Sequence, residues 1–390
     1  MSGMKIGEIS NVLILSHFYK RTQSGGGPPQ EIRDFFLPKV KKIFYIEHPF
    51  PYSKDHRSSL TIYENGKREK QHFSFAKRGP DLLSYVADFL FTLYFLIISR
   101  SRFDICVSLD NLNTSSVIPF HKLKIIKKLV FYTIDYNPKR FKNETLNSIY
   151  HFLDRVSCYN SDVIWVLSEI MIKERVKNGV DRKRSAKSIV LPMGANLQRI
   201  KTKPITKIKR HQIVYAGHLL EKQGVQIVLE ALPLVVKKIP DIKFIIVGEG
   251  EYGDRLKAQA KEFGVEKNVV FKGFVKSHKA LEEILTASAL GIAPYVDDPE
   301  NYTRFTDPGK PKLYLGCGLP VVITQVPKIA DEIHKKRAGI KVTYDSKSIA
   351  DSIIKLISND RIYEEFRRSA IDLSKKYDTN SLIASALARS

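Results

Sequence analysis

The stretch from residue 211 to 332 decides the fold. It begins HQIVYAGHLLEKQGVQIVLEALPLVVKKIPDIKFIIVGEGE (residues 211–251) and ends RFTDPGKPKLYLGCGLPVVITQVPKIADE (residues 304–332). Short apolar runs (QIVYAG, KFIIVG, NVVFKG and PVVIT) alternate with helical patterns, which is typical of β-α-β units and a parallel sheet. Three of these predicted strands run directly into a glycine, at Gly217, Gly248 and Gly273. A residue without Cβ lets backbone approach a ligand at the carboxyl ends of strands, so the pattern predicts a nucleotide-type site on a Rossmann-like domain.

The rest of the chain follows the same α/β rhythm less regularly. With 390 residues, two domains are expected. Predicted N-terminal strands are short and rich in β-branched or aromatic residues, at Asn11–Ser16, Asp104–Leu109, Lys128–Thr133 and Asp162–Leu167. We expect an N-terminal domain over residues 1–200, a nucleotide-binding domain over 201–362, and C-terminal helices over 363–390 that pack back on the N-terminal domain.

The cysteines and the net charge indicate the cellular compartment and the kind of binding partner. Cys106, Cys158 and Cys317 are scattered, which argues against a disulfide framework or a zinc site and favours a reducing, cytoplasmic compartment. The net charge of +23 is concentrated in the N-terminal half. Such a field attracts nucleotides, acidic lipid headgroups or nucleic acid, although a solvated basic surface would look the same. Nucleic acid is the least favoured partner because no recognisable nucleic-acid-binding module accompanies the charge.

The segment Leu82–Ile98 (LLSYVADFLFTLYFLII) is apolar almost all round, with Asp88 near its middle. A spanning helix needs about 20 apolar residues, so a transmembrane helix is the least favoured of three interpretations. A helix buried against the N-terminal sheet is the first, and a monotopic helix dipping into a membrane is the second.

The string Pro308-Gly309-Lys310, followed by Tyr314-Leu315-Gly316-Cys317-Gly318-Leu319-Pro320-Val321-Val322, carries a family resemblance. It resembles the helix-turn-strand element in the donor-binding half of family 4 glycosyltransferases. That resemblance implies the GT-B fold, in which two Rossmann-like domains face each other across a cleft. It also implies a retaining transfer that depends on a nucleotide sugar and needs no metal.

The same element makes physical sense as an anion site. Pro308 and Gly309 open a predicted helix, whose first turn has free N–H groups and a partial positive charge. Lys310 lies in that turn, where a lysine is electrostatically disfavoured unless an anion binds, so the site suits a diphosphate. A surface lysine at a helix start is the alternative. We predict donor-binding roles for Pro308 and Gly309 and a catalytic role for Lys310.

Other donor-binding residues follow from the resemblance. After Gly217 the family has an arginine where this chain has His218, and a lysine where it has Gln223, with Lys222 displaced by one position. The loop that follows the next strand would approach the donor, and the loop after that would hold the nucleobase through backbone groups. The predicted contacts are therefore Gly217, His218, Lys222, Gly248, Glu249, Gly273, Phe274 and Val275. Glycines that only end strands, and a loop histidine without a ligand, are the alternatives.

The acidic residues depart from the family pattern. Family members carry two glutamates eight positions apart, one near the donor sugar and one on the ribose, and the ribose position here is Leu313. Asp298, Glu300 and Asp307 compete for the sugar role. We predict Asp298 as a donor contact and Asp307, the acid closest to Lys310, as the catalytic carboxylate. Each is also a plausible helix cap or loop carboxylate.

The N-terminal half offers weaker candidates. Gly26 and Gly27, in a loop after the first predicted strand, would let a donor phosphate or acceptor approach closely, as any flexible loop would. Asp135 follows a strand where the family often shows a His-Asp pair, with Ile134 in the histidine position, so a catalytic role is assigned to Asp135. No metal-ligand cluster is apparent.

The sequence thus predicts a glycosyltransferase that moves a sugar from a nucleotide diphosphate-sugar to a hydroxyl acceptor in polysaccharide biosynthesis. The nucleotide sugar is a co-substrate, and no cofactor is expected. A glycan or lipid-linked acceptor would suit the basic, aromatic-rich N-terminal half, as would an anionic membrane surface and a peripheral location on its inner face. The alternatives are a catalytically inactive protein of the same fold that binds sugar nucleotides or glycans, motivated by Leu313, Gln223 and Ile134, and a membrane scaffold.

Overall fold

The computed structural model describes residues 6–18, 27–51, 53–76, 81–134, 136–141, 143–299, 301, 303 and 307–390, without the side chains of Asp81 and Leu82. The chain divides into two compact units. The first comprises residues 1–192 and 383–390, and the second comprises residues 193–382.

The first unit is an α/β layer structure around an eight-stranded sheet. Its elements in chain order are β1 (Asn11–Phe18), α1 (Pro28–Phe36), β2 (Lys42–Pro49), β3 (Ser59–Glu64), β4 (Lys67–Phe73), α2 (Asp81–Ser99), β5 (Ile105–Leu109), α3 (Asn111–Lys122), β6 (Leu129–Thr133), α4 (Glu144–Asn160), β7 (Val163–Val166), α5 (Glu169–Lys177) and β8 (Lys187–Val190). The strand order is β4-β3-β2-β1-β5-β6-β7-β8. The β2–β3 and β3–β4 pairings are antiparallel, and the other pairings are parallel.

The second unit contains a six-stranded sheet whose pairings are all parallel. Its elements are β9 (Lys209–Ala216), α6 (Val225–Val236), β10 (Lys243–Val247), α7 (Gly253–Glu262), β11 (Val269–Gly273), α8 (His278–Ala287), β12 (Ser288–Ala293), α9 (Gly309–Gly316), β13 (Val321–Thr324), α10 (Ile329–Lys335), β14 (Gly339–Val342), α11 (Ser346–Ile357), α12 (Asp360–Ser374) and the start of α13 (Thr379–Arg389), whose residues from Ile383 onward belong to the first unit. The strand order is β11-β10-β9-β12-β13-β14.

Each sheet has a point at which the strand order reverses. In the second unit the chain runs outward from β9 to β11 and then returns to the other side of β9 with β12. In the first unit the same reversal separates β1 from β5. Open parallel sheets bind ligands at the carboxyl ends of the strands beside such a reversal. Each unit therefore has one favoured place for a site.

The unit boundaries differ from those expected from the sequence. The first boundary lies at residues 192/193 rather than 200/201. Residues 363–382 belong to the second unit, not the first, because Tyr363 and Phe366 are buried in its core together with α6 and α11. Only the residues from Ile383 onward group with the first unit, where Ser390 accepts a hydrogen bond from Trp165 Nε1.

The apolar segment Leu82–Ile98 forms most of α2 and is neither fully buried nor spanning. Asp88, Thr92 and Phe95 on its inner side are buried, whereas Leu90 and Ile97 on its outer side are exposed. Among the helices that the structure describes, none is both long and apolar enough to cross a membrane.

Candidate functional site

Three glycines meet where β9, β10 and β11 end. Gly217 N donates to Val247 O at 2.9 Å, and Gly248 N donates to Gly273 O at 2.9 Å. A Cβ on Gly248 would stand 1.9 Å from Gly217 O, closer than any real contact. The backbone segments at these strand ends therefore lie so close together that only glycine fits at Gly248.

Lys310 lies over this edge, at the reversal point of the sheet. A Cβ on Gly217 would be 2.9 Å from Lys310 Cε, so the lysine side chain packs directly on the glycine. The Lys310 ammonium lies 4.0 Å from the ring centroid of Tyr215 in β9 and 5.1 Å from that of Tyr295 just after β12. It also donates a 2.7 Å hydrogen bond to Gln223 Oε1. The cation is thus positioned by both strands that flank the reversal.

The environment of Lys310 disfavours its charge. Burial lowers the pKa of the ammonium to about 7, because the aromatic rings and the neutral Gln223 amide replace water without supplying a formal negative charge. A diphosphate beside it would raise that pKa and complete the charge balance. An ammonium that has a fixed position but no negatively charged partner is the electrostatic state expected of an anion site.

Lys310 is the second residue of α9, which begins at Gly309 after Pro308. No side chain caps that helix start. Pro308, Gly309 and Lys310 are therefore brought to one end of an eight-residue helix whose first-turn N–H groups point toward any bound anion. Tyr314, one turn further on, accepts a 2.7 Å hydrogen bond from Ala216 N through its hydroxyl and so fixes α9 against β9.

Asp307, the predicted catalytic carboxylate, has a partner that the sequence did not suggest. Its Oδ2 forms an ion pair with the Nζ of the fully buried Lys312 and accepts a 2.7 Å hydrogen bond from Met193 N. Burial lowers the pKa of Lys312, and Asp307 acts in the opposite direction. Compensation of a buried lysine is a structural role for this carboxylate, and its role toward the sugar stays a prediction.

Other predicted donor contacts lie in the loops that follow β9 and β12. His218 is exposed, and its carbonyl accepts a 2.7 Å hydrogen bond from Tyr215 Oη. The Lys222 carbonyl accepts from Val296 N and from Asn301 Nδ2, which draws the loop containing Asp298 toward Lys222. Glu300 lies outside the described residues.

Glu249 connects two of the predicted loops. Its Oε1 accepts a 3.3 Å hydrogen bond from Phe274 N and would lie 3.7 Å from a Cβ on Gly273. The backbone that the family resemblance assigns to the nucleobase, from Gly273 to Val275, is thus held by a carboxylate from the neighbouring strand end. The Phe274 side chain is exposed beside it.

Two predicted residues of the first unit, Gly26 and Asp135, lie outside the described residues. Gly27 is described: it precedes α1 with extended backbone, and a Cβ there would make only ordinary contacts. The structure gives no steric reason for glycine at that position. Metal independence also stays a prediction.

A buried polar cluster that the sequence does not predict lies at the reversal point of the first unit. His17, near the end of β1, places its Nδ1 2.7 Å from Asp110 Oδ2 and its Nε2 3.4 Å from Asp88 Oδ2. Asp88 Oδ1 lies 3.1 Å from His48 Nδ1. His48 Nε2 in turn lies 2.9 Å from Thr92 Oγ1. The one available signal was a charged residue, Asp88, in the middle of an otherwise apolar helix.

Charge complementarity stabilises this cluster. Burial opposes protonation of His17, but Asp110 and Asp88 outweigh it and raise the pKa of His17 to about 9. The imidazoles of His17 and His48 hold the pKa of Asp88 well below its usual range despite burial. Asp110, the most exposed member, follows β5 directly and has φ 79°, a left-handed conformation that costs energy in a residue with Cβ.

Comparison with known proteins relates this chain to glycosyltransferases. Residues 210–359 match the family described as Glycosyl transferases group 1. Over 183 residues the chain is 24% identical to the poly(ribitol-phosphate) alpha-N-acetylglucosaminyltransferase of Staphylococcus aureus, covering 43% of this chain and 33% of that protein. Over 229 residues it is 21% identical to the phosphatidyl-myo-inositol mannosyltransferase of Mycobacterium leprae, covering 57% of this chain and 58% of that protein. The chain thus matches less than two thirds of either relative's length.

Among solved structures, Anabaena HepE in complex with UDP-glucose superposes with a TM-score of 0.66 at 16% identity. The match covers 97% of this chain and 98% of that one, so it includes both units. It confirms the predicted fold class of two Rossmann-like domains. The predicted resemblance to glycosyltransferases is also confirmed, while membership of family 4 in particular stays a prediction.

Proposed function

We propose that this chain, whose residues 210–359 match the Glycosyl transferases group 1 family, is a glycosyltransferase. It would move a sugar from a nucleotide diphosphate-sugar to a hydroxyl acceptor. The observation that carries the proposal is the position of Lys310, packed on Gly217 at the reversal point of the sheet and at the start of α9. This is where a diphosphate would meet a cation, a helix N-terminus and bare backbone together.

The proposed chemistry needs little covalent help from the protein. The bond between the anomeric carbon and the diphosphate breaks, a bond to the acceptor oxygen forms, and the hydroxyl proton passes to an oxygen of the leaving diphosphate. Negative charge grows on the diphosphate during this step. Lys310, the first-turn N–H groups of α9 and the exposed Lys222 and His218 would stabilise that charge. Retention at the anomeric carbon is part of the proposal and rests on the family resemblance alone.

For the donor we propose a UDP-sugar. The solved structure of HepE contains UDP-glucose, and two of the curated relatives are named as N-acetylglucosaminyltransferases. A UDP series is therefore the first to test, with GDP-, ADP- and CMP-sugars as comparisons.

For the acceptor we propose a glycan or lipid-linked glycan at the inner face of a membrane. The two relatives described above are named for poly(ribitol-phosphate) and phosphatidyl-myo-inositol, which both carry phosphate. An anionic acceptor suits the basic N-terminal half, because its charge would attract such a molecule and raise its local concentration.

Thermal unfolding in the presence of nucleotide sugars tests the donor site. A ligand at about 100 times its dissociation constant stabilises the folded protein by about 2.7 kcal/mol, which raises the midpoint measurably. We expect one nucleotide series to do so, and the Lys310→Ala variant to lose the effect. Lys237→Ala, which removes an exposed lysine from the same unit, is the matched control. No shift with any nucleotide sugar would overturn the proposal.

A catalytically inactive sugar-nucleotide-binding protein is the second candidate. Leu313 occupies the position of the ribose carboxylate, and Gln223 that of a diphosphate lysine. Donor consumption separates the two proposals: release of free UDP from a donor that binds, in the presence of acceptor extracts or water alone, supports the enzyme. Binding without any release supports the inactive protein.

A further inference from the structure

The outer face of α2 exposes an unusual row of large apolar side chains. Leu83, Val86, Leu90, Tyr94 and Ile97 follow one another at three- and four-residue steps, which places them on one side of the helix. Each is between 51% and 65% exposed. We call these five residues the α2 outer face. At 1.5 Å per residue the row is about 20 Å long.

Among the described residues of the first unit, none packs over these exposed side chains enough to bury them. The opposite side of α2 already supplies Phe95 and Leu96 to the core beneath it, and Asp88 to the buried histidine cluster. Phe75, which precedes α2 and packs edge-on against Phe91, is itself 75% exposed and extends the apolar surface. A contiguous exposed apolar surface of this kind marks a binding surface rather than ordinary surface composition.

Basic side chains border one end of the α2 outer face. Arg100 and Arg102 follow the end of α2, and Lys122 and Lys124 lie at the end of α3, which packs beside α2. The two helix ends share the amino-terminal edge of the sheet, because the segments that follow them pair at Phe103 and Ile126. All four basic residues are exposed, and we call them the basic rim.

Asp104 and Asp162, which lie at this edge, each have a partner. Asp104 Oδ1 accepts a 2.7 Å hydrogen bond from Lys127 Nζ, and Asp162 Oδ2 accepts a 2.7 Å hydrogen bond from Leu129 N. The basic rim therefore presents an excess of positive charge beside an apolar row. Tyr94 adds an amphipathic ring of the type enriched at the boundary between headgroups and acyl chains.

We propose that the α2 outer face and the basic rim together form a docking surface for anionic phospholipid. The apolar row enters the boundary between headgroups and acyl chains, and the basic rim binds the lipid phosphates. A second copy of this chain fits the surface less well. Two copies meeting symmetrically through this face would bring their basic rims together without an acidic counterpart.

This inference deepens the proposed peripheral location and names the surface responsible. Asp88, on the inner side of α2, contacts His17, which in turn contacts Asp110 at the carboxyl edge of the sheet. Docking through the outer side of α2 leaves these contacts in place. The membrane contact and the polar cluster thus share one helix without competing for the same side chains.

Vesicle co-sedimentation of the full chain, without any nucleotide sugar, tests the proposal separately from the donor site. We expect binding to vesicles of phosphatidylcholine with about 30% phosphatidylglycerol, weaker binding to phosphatidylcholine alone, and loss of binding as salt rises from about 0.1 M to about 0.5 M. The double variant Leu90→Asp/Ile97→Asp should lower the partition coefficient by about tenfold or more. Arg100→Glu/Lys124→Glu should remove the preference for phosphatidylglycerol.

Leu234→Asp is the matched control, because Leu234 is a similarly exposed leucine on a helix of the second unit. It should bind vesicles as the parent does. All variants are on the surface, and an unchanged unfolding midpoint shows that each has folded. Equal binding by the parent and Leu90→Asp/Ile97→Asp, or no binding by the parent, would overturn the proposal. So would a concentration-dependent dimer, seen by light scattering, that Leu90→Asp/Ile97→Asp abolishes.

Discussion

Lys310 Nζ donates a 2.7 Å hydrogen bond to Gln223 Oε1, which joins the first turn of α9 to the loop that precedes α6. The acceptor is a neutral amide at the position where related enzymes, by resemblance, carry a lysine. A lysine here would repel Lys310, whereas the glutamine orients it. Position 223 of this proposed site therefore supplies a hydrogen-bond acceptor to Lys310 instead of a second cation.

The lowered pKa of Lys310 makes donor binding depend on pH. The pKa is about 7 in the free protein, and a bound diphosphate raises it, so binding takes up a proton above pH 7. We expect donor affinity to fall as pH rises from 7 to 9, by up to about tenfold per pH unit. Calorimetry at pH 8 in buffers of different ionisation enthalpy measures the uptake, expected to approach one proton.

Lys310→Met is the control for this experiment, since it keeps an unbranched side chain over Gly217 but cannot be protonated. It should bind donor more weakly and take up no proton. Proton uptake that persists in Lys310→Met would assign the pH dependence to another group.

Gly248→Ala should destabilise the second unit. Its φ is 138°, and an added Cβ would stand 1.9 Å from Gly217 O, so backbone must move. We expect a loss of about 2–4 kcal/mol in the free energy of unfolding, measured by urea denaturation. In Gly253→Ala the added Cβ would meet only Leu219 Cδ1 at 3.4 Å, and the change should cost less than about 1 kcal/mol. Equal losses in the two variants would contradict the proposed backbone approach.

The Asp307–Lys312 pair separates a structural role from a catalytic one. Asp307→Asn leaves the Lys312 ammonium buried without a counter-charge, which should cost about 3–5 kcal/mol of unfolding free energy. The double variant Asp307→Asn/Lys312→Met removes both charges and should recover most of that loss. If the double variant is stable but transfers no sugar, Asp307 acts on the substrate as well. If it is stable and active, the carboxylate only compensates Lys312.

Much of the fold could be predicted because the local sequence of several strands already indicates the element that each forms in the folded chain. The runs that form β9, β10, β11 and β13 are short, apolar and bounded by glycine or proline. Each of these strands can therefore be predicted from its local sequence alone. The sequence does not predict β2 (Lys42–Pro49), because Glu47 and His48 interrupt its apolar pattern. Those two side chains are buried all the same.

The candidate site was only partly predictable, since its contacts join residues distant in sequence. Lys310 was found because a lysine at a helix start is locally anomalous. Its partner Gln223 lies 87 positions away and looked like a loss of function rather than a ligand for the ammonium. His17 and Asp110, 93 positions apart, had no shared local signal. Only the parallel pairing of β1 with β5 brings them together.

The His17 cluster should make the first unit lose stability in alkaline solution. The folded-state pKa of His17 is about 9, above its ordinary 6.5, so the protonated ring stabilises the fold fully below pH 6.5. That contribution disappears as pH rises from 6.5 through 9. The rise in pKa from 6.5 to about 9 corresponds to about 3 kcal/mol for this buried ring. The groups that face it are Asp88, Asp110 and, beyond Asp88, His48.

Urea denaturation of the full chain at pH 6, 7.5 and 9 measures this dependence, followed by the fluorescence of Trp165, the single tryptophan, which lies in the first unit. His17→Gln should lower the urea midpoint at pH 6. The difference between the midpoints at pH 6 and pH 9 should therefore be smaller in this variant than in the parent. His56→Gln, which changes an exposed histidine of the same unit, should leave the profile unchanged. A His17→Gln profile parallel to that of the parent would mean that the ring is neutral in the folded protein. The carboxylates of Asp88 and Asp110 would then be held by their hydrogen bonds alone.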